Sequence, residues 1–390
     1  MKSGFVAILG RPNVGKSTLL NALIGEKVAI VTAKPQTTRN RIAGVVEVTG
    51  RKGVHPAAQI VFVDTPGVHK PGSQLDRRML QEVHEALESR DLVLVLMDAT
   101  RRIQLDSTPG QKENRGRAAS SEDELLFSLI RKLDCPVFLV LTKIDLVRKD
   151  QLLPLIDSLT RQYKFAQVIP ISALKRDGLD VLLRKIVTTL PTGERYFPKD
   201  QYTDQPVRFM VAELIRESIL IETGEEVPYA SAVVIEQFEE PDSASKGGKS
   251  PLTRIAAAIY CERSGQKAIL IGKGGSKLKA IGTGARRKIE SLLGTRVYLE
   301  LHIIVEPGWR DSRTFIESLD WRNQLQELAS ELNDEDSLEE HKETFFSARA
   351  VKALRQNRPT TGAISRLRSA PACQAFTFTN AGAIPSMVAA

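Results

Sequence analysis

The feature that most constrains this chain is the segment 10–18, which fits the phosphate-loop template G-x-x-x-x-G-K-[ST]. The glycines of the template let backbone N–H groups turn around a triphosphate, the lysine reaches the outer phosphates, and the hydroxyl ligates Mg²⁺. Phe5–Leu9 is apolar and predicts a buried strand, and Ser17–Leu23 predicts a helix whose N-terminus faces the phosphates. This context favours a nucleotide site over a chance glycine-rich turn. The predicted nucleotide-binding residues of the loop are Gly10, Arg11, Pro12, Asn13, Val14, Gly15, Lys16, Ser17 and Thr18.

Length and charge set broader limits. The 390 residues exceed one compact core and predict two or three domains. A net charge of +8 favours polyanionic partners, whereas 5% aromatic residues argue against extensive base stacking. Three widely spaced cysteines, Cys135, Cys261 and Cys373, indicate reduced thiols rather than a zinc site. No apolar run approaches the length of a membrane span, so we expect a cytoplasmic protein, with peripheral membrane contact left open.

Two further segments suit a triphosphate and its metal. The polar, proline-containing segment 33–39 predicts a loop, in which Thr37 or Thr38 can close over the γ-phosphate and Mg²⁺. A short apolar run, 60–63, predicts a strand that ends at a turn of four residues. In that turn the aspartate can hold Mg²⁺ through water and the glycine N–H can sense the γ-phosphate; the turn is Asp64, Thr65, Pro66 and Gly67.

Continuous apolar runs at 92–97, 137–141 and around 168–171 predict strands of a mostly parallel sheet covered on both faces. Polar residues follow two of these strands at the edge where such sheets bind ligands. There the carboxylate of Asp145 can accept from two donors of guanine, and the stem of Lys143 can lie along the base. The predicted base-binding residues are Thr142, Lys143, Ile144, Asp145, Ser172 and Ala173.

The second half of the chain predicts an α+β domain. Helical periodicity covers 207–221 and 276–294, and strand patterns cover 229–238, 255–262 and 296–305. Between the helical segments, a G-x-x-G loop can clamp a single-stranded nucleic acid backbone. Nine Lys or Arg and one acid between 263 and 296 favour this interpretation over a solvated helix surface. The predicted RNA contacts are Gly272, Lys273, Gly274, Gly275, Lys277, Lys279, Arg286 and Arg287.

Several segments of the sequence resemble those of the Era family of bacterial ribosome-assembly GTPases. Segments 34–39 and 64–71 resemble its GTPase domain, and 226–230, 271–275 and 297–301, followed by Trp309 and Arg310, resemble its KH domain. The resemblance covers roughly 1–320, with insertions near 49–58, 104–122 and 240–251. It implies a GTP-binding domain of the P-loop class at 1–195, a linker at 196–206 and a type II KH domain at 207–320. Residues 321–390, with an acidic block, a basic block and an uncharged end, predict a disordered tail.

The resemblance also implies roles. GTP or GDP and Mg²⁺ are the expected cofactors, with Lys16 and Thr38 catalytic and with Ser17, Thr38 and Asp64 at the metal. Asn13 resembles a K⁺-binding asparagine, with an ordinary turn asparagine as the alternative. Where many regulatory GTPases have a water-orienting glutamine, this chain has Val68, which predicts slow intrinsic hydrolysis. Thr142 stands where Era proteins usually have Asn, so we expect guanine selectivity with weaker base affinity.

The implied partners are the 3′ end of small-subunit ribosomal RNA and the 30S precursor, bound by a monomer. The alternatives are another RNA or the surface of the inner membrane. Two rivals from other classes are a metabolic phosphotransferase and an RNA-binding module in which the nucleotide is incidental.

Overall fold

The computed structural model describes residues 1–100, 115–224, 227–240 and 252–322. The first half of the chain is built on a six-stranded sheet in the order β2–β3–β1–β4–β5–β6. β2 runs antiparallel to β3, and every other neighbouring pair is parallel, which confirms the predicted mostly parallel sheet. The strands are β1 Lys2–Gly10, β2 Ile42–Val48, β3 Ala58–Asp64, β4 Leu92–Asp98, β5 Val137–Thr142 and β6 Gln167–Pro170.

Among the described residues of this half, five helices lie against the sheet, and they bury both of its faces. Along β1, Val6 and Ile8 pack into one apolar cluster while Ala7 and Leu9 pack into the other. Such two-sided burial is why the strands are continuous apolar runs rather than alternating ones. The helices are α1 Lys16–Ile24, α2 Gln74–Glu88, α3 Arg115–Ile130, α4 Leu152–Thr160 and α5 Leu179–Thr189.

The predicted insertions differ in outcome. Most of the predicted insertion at 49–58 is the turn 49–57 between β2 and β3, which backbone hydrogen bonds between Arg51 and His55 close, in agreement with the predicted hairpin loop. The second part of the predicted surface insertion at 104–122 is helical, because α3 begins at Arg115. The helix starts beyond Pro109 and Gly110, and its Ala, Glu and Leu residues have high helix propensity. Residues 104–114, 241–251 and 323–390 lie outside the described residues.

The second half forms a three-stranded sheet in the order β7–β8–β9, in which β7 and β8 are antiparallel and β8 and β9 are parallel. Its element order, α-β-β-α-α-β, is the type II KH arrangement that the sequence predicted. The first strand starts two residues later than predicted because 227–230 form a 3₁₀ turn. The elements are α6 Val207–Glu222, β7 Ser231–Glu239, β8 Leu252–Cys261, α7 Ser264–Ile271, α8 Ser276–Leu293 and β9 Arg296–Val305.

The segment between the two sheets is packed rather than extended into solvent. The side chain of Gln59 accepts from the backbone N–H groups of Tyr196 and Phe197 and donates to the Phe197 carbonyl. Further along, the Val45 N–H donates to the Tyr202 carbonyl over 2.9 Å, so the linker covers the edge strand β2. Residues 196–206 therefore fix the first domain to the start of α6.

The described chain ends beside α2. After helix α9, Arg313–Ser318, the side chains of Trp321 and Arg322 are buried. Arg322 binds Glu82 of α2 over 2.8 Å. The packed region thus extends at least two residues into the predicted tail, because these residues contact a part of the chain more than 200 positions away.

Candidate nucleotide site and basic face

The phosphate loop connects β1 to α1 and is stabilised from within. Gly15, at φ 101°, adopts a conformation that side chains rarely take. The ammonium of Lys16 lies inside the loop, donating to the carbonyls of Arg11 over 3.0 Å and Gly10 over 3.3 Å. Burial lowers the pKa of Lys16 to about 8, against the opposing charge of Asp64. The loop therefore contains a buried amine, and an anionic neighbour stabilises the charged form of this amine.

Ser17, Thr38 and Asp64 come together although they lie on three separate segments. Ser17 Oγ lies 2.6 Å from Asp64 Oδ2 and 2.8 Å from Thr38 Oγ1. Thr37 points elsewhere, bonding to Thr32 and to the Lys34 carbonyl. The geometry thus favours Thr38 over Thr37 as the hydroxyl of this cluster.

The cluster has the chemistry of a hard-cation site. Burial raises the pKa of Asp64 to about 6, although Lys16 and the neighbouring hydroxyls favour its ionised form. Asp64 Oδ1 is buried and has no hydrogen-bond partner among the described residues. An orphaned carboxylate oxygen beside two hydroxyls matches the oxygen ligands that Mg²⁺ prefers, so the residues present fit this ion.

The turn after Asp64 is pressed against the phosphate loop. A Cβ at Gly67 would lie 2.6 Å from the Pro12 ring, so only glycine fits there. The Val68 N–H donates to the Gly10 carbonyl over 3.0 Å, and the Thr65 hydroxyl donates to the Ile8 carbonyl. The Val68 side chain is buried in the core, so it cannot orient a water molecule. Pro66 is buried in the same turn.

The predicted base-binding residues meet at the ends of β5 and β6. Asp145 is exposed in a 3₁₀ turn, and the N–H of its neighbour Ile144 faces the Ile171 carbonyl at 3.4 Å. Lys143 Nζ bonds to Asp98 Oδ2 over 2.6 Å, which stretches its stem across the cleft. Buried Ser172 and half-buried Ala173 follow β6. All of these residues border one open edge of the sheet.

Thr142 performs a structural role at this edge. Its hydroxyl donates to the Val14 carbonyl of the phosphate loop over 2.7 Å, and it is almost fully buried. The bond ties the end of β5 to the phosphate loop. Near the same loop, Asn13 has φ 62° and donates from Nδ2 to the Ala33 carbonyl over 2.6 Å. This contact fits both a turn asparagine and a cation ligand, so the two interpretations stay open.

The predicted RNA contacts lie on the loop between α7 and α8 and on the exposed side of α8. Lys273, Lys279, Arg286 and Arg287 are exposed, and Lys277 is half-buried. Gly272, at φ 70°, has no room for a Cβ because Lys277 lies 2.6 Å away, whereas Gly274 and Gly275 face open space. Lys288, on the inner side of α8, instead binds Glu217 over 2.8 Å. The basic face is therefore narrower than the nine charges of the sequence suggest.

Contacts between the two domains were missed from the sequence. Arg216 of α6 donates to the Thr37 carbonyl, next to Thr38, and Arg39 donates to the Ser231 carbonyl over 2.8 Å. Glu217 accepts from the Val31 N–H and from Lys27. The loop 33–39 thus contacts the KH domain as well as the phosphate site. The bonds of Arg216 and Arg39 end on backbone carbonyls, which no residue pattern identifies in advance.

Comparisons with known proteins match this arrangement. A family model described as a 50S ribosome-binding GTPase matches residues 5–143, and a KH domain model matches residues 226–310. The GTPase Era of Ruminiclostridium cellulolyticum is 41% identical over 321 residues, covering 82% of this chain and 98% of that protein. The GTPase Era of Lacticaseibacillus paracasei is 45% identical, covering 81% of this chain and 96% of its own. The chain belongs to the Era family.

Two crystal structures agree with this assignment. One is a variant of Aquifex aeolicus Era bound to GDP and AlF₄⁻, and the other is Era in complex with MgGDPNP and nucleotides 1506–1542 of 16S ribosomal RNA. Each has a TM-score of 0.71 and 38% identity, covering 82% of this chain and 99% of the other. The chain is a GTPase in which a phosphate-loop domain precedes a KH domain. Across its described residues, the chain contains no helix with the length and apolar character of a membrane span.

Proposed function

We propose that this GTPase binds GTP with Mg²⁺ at 1–195 and binds the 3′ end of small-subunit ribosomal RNA through its KH domain at 207–320, assisting assembly of the 30S subunit. The observation that carries the proposal is that the loop 33–39 contacts both domains. Thr38 lies against Ser17 at the phosphate site, and the preceding carbonyl accepts from Arg216 of the KH domain. If this loop changes conformation on hydrolysis, its contacts with the KH domain therefore change as well.

The nucleotide residues have defined roles in this proposal. Lys16 contacts the outer phosphates, Ser17 and Thr38 ligate Mg²⁺, and Asp64 holds the ion from its outer shell. The ion neutralises charge that develops on the phosphates, and Asp145 selects guanine. Because Val68 supplies no polar group, intrinsic hydrolysis is slow. K⁺ beside Asn13 is a further proposed cofactor, supported by the nearby Ala33 carbonyl.

RNA binding is supported by the shape and charge of the loop between α7 and α8. A Cβ at Gly274 would meet nothing within 4 Å, so a sugar–phosphate backbone can approach. A G-x-x-G loop clamps about four nucleotides, so we expect it to contact about four phosphates. For a single strand, this number predicts that the RNA affinity falls about 50-fold between 50 and 200 mM salt. One solved Era structure contains nucleotides of 16S ribosomal RNA, which favours the small subunit. The description of the matching family model names the 50S subunit instead. Cytoplasmic location, peripheral contact with the inner membrane and the monomeric state stay predictions.

The test is binding of a fluorescent RNA that matches the small-subunit 3′ end, with a scrambled RNA as control. Gly274→Asp places a carboxylate at the proposed backbone contact, and Gly274→Asn has the same shape without the charge. Both residues tolerate the φ of 58° at this position, so both variants should fold. We expect Gly274→Asp to lower the RNA affinity at least about tenfold more than Gly274→Asn does, since a buried or close like charge costs more than an amide. Equal affinities of the two variants would contradict RNA binding by this loop. Equal affinity for the scrambled RNA would contradict selection of the small-subunit 3′ end and favour another RNA.

A further inference from the structure

Three polar side chains connect the loop of Thr38 to the turn of Gly67. His69 Nε2 lies 3.0 Å from Asp76 Oδ1, and His69 Nδ1 lies 2.8 Å from the Gly67 carbonyl. Gln36 Nε2 donates to the same Asp76 Oδ1 over 3.1 Å. The side chains of His69 and Asp76 are each only 14% exposed. None of the nucleotide roles described above uses these three residues.

The contacts of His69 favour its protonated form. Both ring nitrogens lie at hydrogen-bonding distance from oxygen acceptors, and both contacts are hydrogen bonds only when both nitrogens carry a hydrogen. In that form the Gln36 amide nitrogen, 3.1 Å from His69 Nε2, donates to Asp76 alone. The hydrogen bond to Asp76 raises the pKa of His69, with support from the Gly67 carbonyl, while burial opposes it. Burial disfavours the ionised form of Asp76, yet its hydrogen bonds together hold its pKa well below the usual range. Asp76 on α2 and Glu122 on α3 are the charged groups that act on His69.

Asp76 is held in place without help from His69. Its Oδ2 accepts from the Gly72 N–H, the Ser73 N–H and the Ser73 hydroxyl at 2.9 to 3.0 Å. Ser73 in turn caps α2 by accepting from the Asp76 N–H. Asp76 is therefore part of a rigid helix start, and its Oδ1 is the fixed acceptor that His69 and Gln36 share.

His69 also contacts one peptide group next to the phosphate loop. The Gly67–Val68 peptide is held on both sides, because its carbonyl accepts from His69 and its N–H donates to the Gly10 carbonyl. On the other loop, Gln36 lies two residues before Thr38 and adopts φ 57°. A side-chain bond at such a strained position helps to hold the loop closed.

We propose that His69 is a positioning residue for GTP hydrolysis, which through Asp76 holds the Gly67 turn and the Gln36 loop together in the closed arrangement. The inference rests on the proposed function, together with the prediction that Thr38 closes over the γ-phosphate and that the Gly67 N–H senses it. GDP has no γ-phosphate, so its affinity does not depend on this closure. Loss of the link should therefore slow hydrolysis and leave GDP binding unchanged.

The test uses full-length variants that separate the two hydrogen bonds of His69. The amide of His69→Asn can replace Nδ1 at the Gly67 carbonyl but cannot reach Asp76. The amide of His69→Gln can replace Nε2 at Asp76 at any pH. Gln36→Asn keeps a residue that tolerates positive φ but shortens the side chain by one carbon. His84→Gln, at an exposed position on α2, is the matched control.

Single-turnover GTP hydrolysis and the affinity for a fluorescent GDP analogue are measured for each variant between pH 6 and 9. At pH 6.5 we expect His69→Asn and Gln36→Asn to hydrolyse GTP about tenfold more slowly, the factor that one lost hydrogen bond of about 1.4 kcal/mol gives, with GDP affinity within twofold of wild type. His84→Gln should match wild type.

The pH profile supplies a readout that a merely structural role would not change. The link needs protonated His69, whose folded-state pKa is raised, so it is complete at low pH and is lost as pH rises through that pKa. The rate of wild type relative to His69→Gln should therefore fall as pH rises. A ratio that stays constant with pH, or GDP affinity that falls together with the rate in His69→Asn, would overturn the proposal. A wild-type chain that binds GDP but not GTP would instead overturn the proposed placement of the γ-phosphate.

Discussion

The bond from Thr142 to the phosphate loop gives a prediction with a calculable size. Thr142→Val keeps the shape of the side chain but removes the hydroxyl that donates to the Val14 carbonyl over 2.7 Å. Thr142 and Val14 are each 3% exposed, so no water replaces the lost donor while the loop is closed around phosphates. An unsatisfied buried carbonyl costs about 1–3 kcal/mol, and a cost of about 1.4 kcal/mol corresponds to a tenfold change in affinity. In the nucleotide-free state the loop can move and relieve the cost, so we expect it to appear as weaker binding.

The assay is titration of a fluorescent GDP analogue, with Thr142→Ser as the control that keeps the hydroxyl. We expect the dissociation constant to rise about tenfold in Thr142→Val and less than threefold in Thr142→Ser. Equal GDP affinity in Thr142→Val and wild type would refute the argument that this hydroxyl supports the loop. A loss of equal size in Thr142→Ser would show that packing, rather than the hydrogen bond, is responsible.

Three other substitutions test separate parts of the structure. Arg322→Ala removes the buried arginine 2.8 Å from Glu82, which then keeps only Arg78 at 2.9 Å and Arg41 at 3.5 Å as ion-pair partners among the described residues, and we expect a lower melting temperature, whereas Arg313→Ala, on an exposed ion pair, should have no effect. Burial raises the pKa of Asp204 from 3.8 to about 6, so the fold loses stability as pH rises between these two values, and the loss is complete above the higher one. Asp204→Asn should therefore raise the melting temperature at pH 8, and the gain should shrink as pH falls to 5; a constant gain would contradict this cause. Gly67→Ala, whose Cβ would lie 2.6 Å from the Pro12 ring, should weaken binding of a GTP analogue at least about tenfold while GDP binding changes little, as competition titrations would show.

Local patterns predicted most of the first domain. The apolar strands follow from two-sided burial, and the turn at Asp64 and the loop at Lys16 lie at strand ends, where a parallel sheet gathers its ligands. The residue pattern left both Thr37 and Thr38 open, and only the family resemblance put Thr38 first. That choice depends on which hydroxyl reaches Ser17, a contact between segments 21 residues apart.

Other features were beyond any local pattern. The start of α3 at Arg115 was hidden by the polar composition before it, and the burial of Arg322 depends on Glu82, 240 residues earlier. The link through His69 joins three segments, and neither Gln36 nor Asp76 stands out by type or spacing. Nine basic residues drew attention to one region of the KH domain, but the inward position of Lys288 becomes visible only when α6 packs against α8.

The central claim is that the nucleotide state of the first domain changes RNA binding by the second. The most direct measurement is the affinity of the full-length chain for the small-subunit 3′-end RNA, in GDP and in a non-hydrolysable GTP analogue, at one salt concentration. The account predicts tighter RNA binding with the GTP analogue, by about 5- to 150-fold for a coupling of about 1–3 kcal/mol, and by reciprocity the RNA must tighten binding of the analogue by the same factor. Equal RNA affinity in both nucleotide states would contradict the account, because a ligand without differential affinity shifts no equilibrium.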